Sequence, residues 1–152
     1  MSRPDAIGPD DDVAGVIAVQ NAYAVAIDTH DWPALRACFA DDASIGFGRP
    51  LRMGTVDEFI AWAPEFHEPL GPTLHQVSTH QVRVDDATAS ASAYLHAVLV
   101  DPDGGGAMSI FGRYDDELVR SHAGWVIRQR RFTPVWRTRT AAPAVVAPAG
   151  QS

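Results

Sequence analysis

The chain of 152 residues contains one cysteine, Cys38, so an internal disulfide is excluded and a reducing compartment fits. Cys38 sits in the apolar run Leu35 to Phe39 and reads as a packed thiol. Basic residues are also scarce. Twelve Lys and Arg against 19 Asp and Glu leave a formal net charge of −7. That balance argues against nucleic acid or an anionic membrane as partner, because both reward basic patches. No stretch approaches the roughly 18 apolar residues of a membrane span. The N-terminal Met1-Ser2-Arg3-Pro4-Asp5 lacks the apolar core of a signal peptide, so a cytoplasmic location is expected. P-loop, GxGxxG and GxSxG patterns are absent, and Gly104 to Gly106 reads as a hairpin loop, not a phosphate cradle. His75, His80 and His96 are spaced as no metal motif, so neither a metal nor another cofactor is expected.

What remains is ordinary for a single globular domain, with 46% apolar and 20% charged residues. Residues 1–10 read as a flexible N-terminus and residues 11–139 as the domain. Residues 140–152 are Ala, Pro and Val without periodicity and read as disordered. Within the domain, the stripe Val13, Val16, Ile17, Ala24, Ile27 predicts an amphipathic helix over Val13 to Thr29. Asp31 is placed to cap a short second helix with Pro33 in its first turn, running through Leu35 and Phe39. Ala43 to Phe47 reads as a short strand. Thr55-Val56-Asp57-Glu58 is a capping box that opens a third helix through Phe66, with Pro64 expected to kink or shorten it. Four strands follow: His75 to Val84, Ala87 to Val100, Met108 to Val119 and Trp125 to Trp136. The order is α+β, three helices on one face of a mostly antiparallel sheet, with room for a small-molecule pocket between the layers.

Asp28 is the residue that asks for an explanation. It falls in the last turn of the first helix, where the helix dipole disfavours a carboxylate by a few tenths to about 1 kcal/mol. It also continues the apolar stripe, so its side chain points inward and needs a partner. His75, in Thr73-Leu74-His75-Gln76, is the best candidate; the other reading is a helix-end Asp in water and a strand-end His satisfied by backbone. A carboxylate that accepts a hydrogen bond from one imidazole nitrogen fixes the tautomer and raises the basicity of the other nitrogen. Tyr23, a little over one turn before Asp28, is placed to donate a phenol proton into the same cavity or to pack as core. In the last strand, alternation puts Arg131 on the face of Trp125 and Ile127; a bulge would swap Arg131 for Arg130. His96, Tyr94, Phe59, Trp62 and Phe111 are candidate substrate contacts, each equally readable as core or surface.

Tyr23-x4-Asp28-x2-Asp31-Trp32-x2-Leu35, Phe39-Ala40-x-Asp42-Ala43, Thr73-Leu74-His75 and Gly124-Trp125-x-Ile127-x2-Arg130, taken in order, resemble the SnoaL-like family. That family belongs to the nuclear-transport-factor-two-like superfamily. The resemblance runs from about Asp11 to Trp136 and is greatest to the branch holding scytalone dehydratase, bile-acid 7α-dehydratase and hexachlorocyclohexane dehydrochlorinase. It implies a cone-shaped α+β fold with a strongly curved sheet, an Asp28–His75 catalytic dyad, Tyr23 as an accessory group and Arg131 beside the leaving group. It also implies a homodimer or higher homo-oligomer. The function expected is a cofactor-independent lyase or isomerase acting on a small apolar cyclic substrate. The alternative is a non-catalytic ligand-binding module of the same fold.

Overall fold

The computed structural model describes residues 9–47 and 52–141. The elements run α1 (Pro9–Asp28), α2 (Trp32–Ala37), β1 (Phe39–Phe47), β2 (Arg52–Thr55), α3 (Val56–His67), β3 (Thr73–Asp85), β4 (Thr88–Val100), β5 (Gly106–Ser121) and β6 (Gly124–Ala141). They form a curved, unclosed sheet of six strands in the order β2-β1-β6-β5-β4-β3. Every neighbouring pair is antiparallel except β1 and β6, which run parallel. The helices cover the concave face, and α1 lies along β3 and β6. The fold is the expected cone.

Local signals account for most of the helix boundaries. α1 buries Val16, Gln20, Tyr23, Ala24 and Ile27 along one face. It ends where His30 takes a left-handed backbone (φ 56°), the usual geometry just past a helix C-terminus. Asp31 caps α2, its side chain accepting from the Ala34 N–H at 3.0 Å. Thr55 and Glu58 form the reciprocal capping box of α3. Pro64 does not shorten α3, which continues to His67.

Four boundaries differ from the sequence reading. α1 opens at Pro9, inside the segment read as flexible. β1 starts at Phe39, which had been assigned to the second helix, because Phe39 pairs with Ile127 of β6. β2 had no alternation to reveal it, and it is a strand only by pairing with β1. β6 continues through Ala141, into the segment read as disordered. The rest of those two terminal segments, residues 1–8 and 142–152, lies outside the described residues. No helix among the described residues is long and apolar enough to cross a membrane.

On β4 the residues Ala89, Ala91, Ala93, Leu95, Ala97 and Leu99 face the helices, and on β5 Gly112, Tyr114, Asp116 and Leu118 do. Register shifts set the phase of the flanking strands. β3 turns inward at Thr73, His75 and Val77, then shifts register between Ser78 and Gln81, where Thr79 is left-handed (φ 54°), and continues inward at His80, Val82 and Val84. In β6, Ile127 pairs with Leu118 and Gln129 with Glu117, leaving Arg128 as the extra residue.

Candidate active site

Asp28 and His75 meet where the last residue of α1 faces the start of β3. The His75 Nδ1–H donates to Asp28 Oδ1 at 2.6 Å, and the His75 backbone N–H donates to Oδ2 at 2.7 Å. The Thr73 hydroxyl adds a third bond to Oδ1 at 2.8 Å. β3 is held in this position by a backbone exchange with the end of β4: Gly71 N–H to Val100 O at 2.9 Å and Val100 N–H to Pro72 O at 3.0 Å. A side chain at residue 71 would collide there, since a Cβ on Gly71 would stand 2.7 Å from the Asp101 carbonyl oxygen.

Burial alone would push the Asp28 carboxyl up. The hydrogen bonds from the His75 ring and backbone and from the Thr73 hydroxyl outweigh it and hold the group below the usual carboxylate range. An ionised carboxylate accepting from Nδ1 leaves the lone pair of the neutral imidazole on Nε2. The His75 side chain is only 8% exposed. Among the described residues nothing donates to its Nε2, so that nitrogen is free to accept a proton.

A second imidazole, His67, was missed in the sequence. It is buried in the last turn of α3, with its ring centroid 5.9 Å from that of His75. Its Nδ1–H donates to the Ala63 carbonyl at 2.8 Å, so its Nε2 also carries the lone pair. Burial lowers its pKa and keeps it neutral, against the opposing pull of the Ala63 bond. The signal was its place one turn after Ala63 on the apolar face of α3, which had been read only as far as Phe66. Trp32, whose indole N–H donates to Glu68 at 3.0 Å, ties α2 to this end of α3.

Tyr23 is buried deeper in the cone. Its ring stacks on Phe59 and meets Phe39 and Tyr114 edge-on. The guanidinium of Arg130 lies 4.3 Å from the Tyr23 ring centroid and 4.0 Å from that of Tyr114. Burial raises the Tyr23 and Tyr114 pKa values, so both are neutral phenols. Arg130 is fully buried, bound twice to Asp116 at 2.8 and 2.7 Å. Burial works against its charge, and Asp116 more than restores it, so its pKa lies above the ordinary arginine value. Asp116 also accepts from Gln20 Nε2 at 2.8 Å, and Gln20 Oε1 lies 2.7 Å from His80 Nδ1. The Arg130 Nη1 has no hydrogen-bond partner among the described residues. Gln20 and Asp116 were legible as polar residues on core faces, Gln20 between Val16 and Tyr23 on α1 and Asp116 between Tyr114 and Leu118 on β5.

Arg131 therefore does not reach the cone interior. The extra residue Arg128 reverses the alternation, so Arg130 and Phe132 join Trp125 and Ile127 inside while Arg131 is exposed opposite Asp115. Tyr94, His96 and Phe111 are also on the outer face, because the inward places of β4 and β5 belong to the alanine series and to Gly112 and Tyr114. His96 stacks on Phe111 at 4.2 Å, and Phe111 on Trp136 at 5.4 Å. Cys38 is buried, and burial pushes its thiol up to about 11, as expected of a packed cysteine.

The open volume is displaced from its expected position. Tyr23, Phe39, Phe59 and Tyr114 fill the middle of the cone. A cleft of about 910 Å³ opens instead among β1, β2, α3 and the end of β6, with Phe59 and Trp62 on its wall. Asp28 and His75 do not line it. Two ring contacts bridge the gap, Trp62 to His67 at 5.7 Å and His67 to His75 at 5.9 Å.

Comparison with known proteins places this geometry among relatives. The model of the SnoaL-like domain matches residues 11–131. No curated protein sequence is a significant match. Among solved structures, a candidate aromatic ring hydroxylase of Novosphingobium aromaticivorans is 24% identical, with 89% of this chain and 96% of that one covered at a TM-score of 0.78. A candidate scytalone dehydratase of the same organism is 18% identical, covering 91% and 93% at 0.77. The type-3 hexachlorocyclohexane dehydrochlorinase of Novosphingobium barchaimii is 13% identical, covering 89% and 94% at 0.76. At these identities the likeness is one of fold.

Proposed function

The chain belongs to the SnoaL-like domain family, and on that premise we propose that it is a cofactor-independent lyase or isomerase with His75 as general base. The observation that carries this reading is the carboxylate–imidazole pair: Asp28 takes three hydrogen bonds from Thr73 and His75 and leaves Nε2 of His75 as the basic nitrogen. In the reaction, Nε2 takes a proton from a carbon beside a carbonyl or opposite a leaving group. The electrons of the broken C–H bond form a new double bond. The leaving group departs with its own bonding pair; in a dehydration the hydroxyl leaves as water by taking the proton that the His75 imidazolium carries, which returns the base to its neutral form. Asp28 stabilises the imidazolium that forms. Arg130, the inward-facing arginine of β6, is paired with Asp116 and helps hold the cone interior in place around Tyr23. The substrate reaches the imidazoles past Trp62, which is 42% exposed and stands between the cleft and His67.

The test is solvent exchange. The protein is incubated in deuterated water with a panel of cyclic hydroxy ketones, and deuterium uptake or elimination is followed by mass spectrometry. His75→Ala should slow either reaction about 10²–10⁴-fold while circular dichroism stays native. Asp28→Asn should lose about as much or less, through the loss of imidazolium stabilisation. A His75→Ala variant at the wild-type rate overturns the proposal.

The binding-module reading draws on one observation, that the cleft is not lined by the dyad. Under it, ligands fill the cleft and no compound in the panel exchanges.

A further inference from the structure

We propose that the cleft takes an apolar ring system bearing one acidic group, and that Arg52 and Arg137 at its lining hold the acid. This assigns a ligand class to the molecule handled by the proposed lyase; it rests on that reading for the word substrate but not for binding.

The walls favour rings. Phe47 stacks on Phe59 at 5.6 Å and 17°, and Trp62 stands 6.2 Å from Phe47. Phe132, on the neighbouring strand β6, packs 6.1 Å from Phe47 and continues the same wall. Trp136 also borders the cleft and is 59% exposed, with one face of its indole stacked on Phe111. Flat aromatic walls that expose this much apolar surface gain most from a ligand with flat apolar faces of its own.

The charge distribution selects the acid. The whole chain carries −7, which repels anions at a distance. Of the described arginines, Arg36, Arg113, Arg120, Arg128, Arg130 and Arg139 each have an ion pair, while Arg52, Arg83, Arg131 and Arg137 have none among the described residues. Arg52 and Arg137 line the cleft, and neither has an ion-pair or hydrogen-bond partner among the described residues. The one carboxylate in the lining, Glu58, is engaged by the Thr55 backbone N–H at 2.7 Å and the Thr55 hydroxyl at 3.3 Å in the α3 capping box. Two uncommitted guanidinium groups beside an aromatic wall form a mixed site, apolar for the body of the ligand and cationic for one oxyanion.

Two fluorescent probes with the same rings separate the contributions: anilinonaphthalene sulfonate, which carries an acid, and phenylnaphthylamine, which does not. The intact chain should bind the sulfonate about tenfold more tightly than the neutral probe, and about 0.5 M NaCl should narrow the gap. The double variant Arg52→Gln/Arg137→Gln should lose that preference and leave neutral-probe binding unchanged. Val135→Glu, which places a charge in the lining, should weaken both. Equal affinities for the two probes, an unaffected double variant, or no binding of either probe overturns the proposal. Probe binding by His75→Ala reads the cleft without the dyad, so a failed general base and a failed acid site give different results.

Discussion

Arg130 holds a full positive charge with no exposed surface, and every account of the cone interior has to include what surrounds it. Its charge is tolerable because Asp116 meets it with two hydrogen bonds and the guanidinium lies against both the Tyr23 and Tyr114 rings. Removing one partner leaves the other buried and uncompensated. Arg130→Met and Asp116→Leu should each cost about 3–5 kcal/mol in urea unfolding, whereas the double variant Arg130→Met/Asp116→Leu should cost far less than their sum. A double-mutant cycle with no coupling would contradict the network. Arg131→Ala, on the outer face, should stay within about 0.5 kcal/mol of the parent. At this scale the sequence was informative about Asp28, because a carboxylate on an apolar stripe at a helix end has few solutions. It was silent on which arginine turns inward, because a bulge leaves no residue-level mark.

The elements were legible where local chemistry defines them and obscure where pairing does. Capping residues act within four positions, so Asp31 and Thr55 announced α2 and α3. β1 was read short because Asp41 and Asp42 interrupt its apolar pattern. Both are exposed, and the strand is held by β2 and by its parallel pairing to β6. The β5–β6 hairpin carries a tight contact of its own. A Cβ on Gly112 would stand 2.4 Å from the Phe132 ring and 2.7 Å from the Thr133 carbonyl oxygen. Gly112→Ala should therefore destabilise by about 1–3 kcal/mol through overpacking, read as a lower urea midpoint at unchanged slope. Because Phe132 lines the cleft, the same variant should also weaken the neutral probe. An alanine accepted without loss would mean that the two strands separate easily at this point.

Across the whole molecule, Asp28 and Asp12 are among the carboxylates that join the helical layer to the sheet, and both link stability to acidity. Asp28 ties α1 to β3, and its pKa is held down as described above. Asp12 ties α1 to β5 and β6, and the hydrogen bond from Arg120 holds its pKa down against burial. A carboxyl depressed in the folded state contributes stability above its unfolded value of 3.8, and that contribution is lost as pH falls through the lower folded value. Urea midpoints measured from about pH 6 down to about pH 2 should therefore fall most steeply below the unfolded value, and Asp28→Asn should flatten that limb. An unchanged limb in the variant would show that Asp28 does not carry the linkage. The global layout was half legible. Helices first and strands after them indicate an α+β layer, but nothing in the order of elements reveals that β1 inserts parallel beside β6.

By itself the sequence determined the helices with their caps, the antiparallel meander, the packed thiol and the pairing of a helix-end acid with a strand-end imidazole. Periodicity, capping and the cost of an unpaired inward charge all act over a few residues or through a single obligatory partner. Only the tertiary structure decided that Arg130 and not Arg131 turns inward, that His67 lies beside His75, and that the open volume sits against Arg52 and Arg137 and not beside the dyad. Those outcomes depend on strand phase after a bulge and on how aromatic side chains from distant segments fill one space. No window of neighbouring residues contains that information.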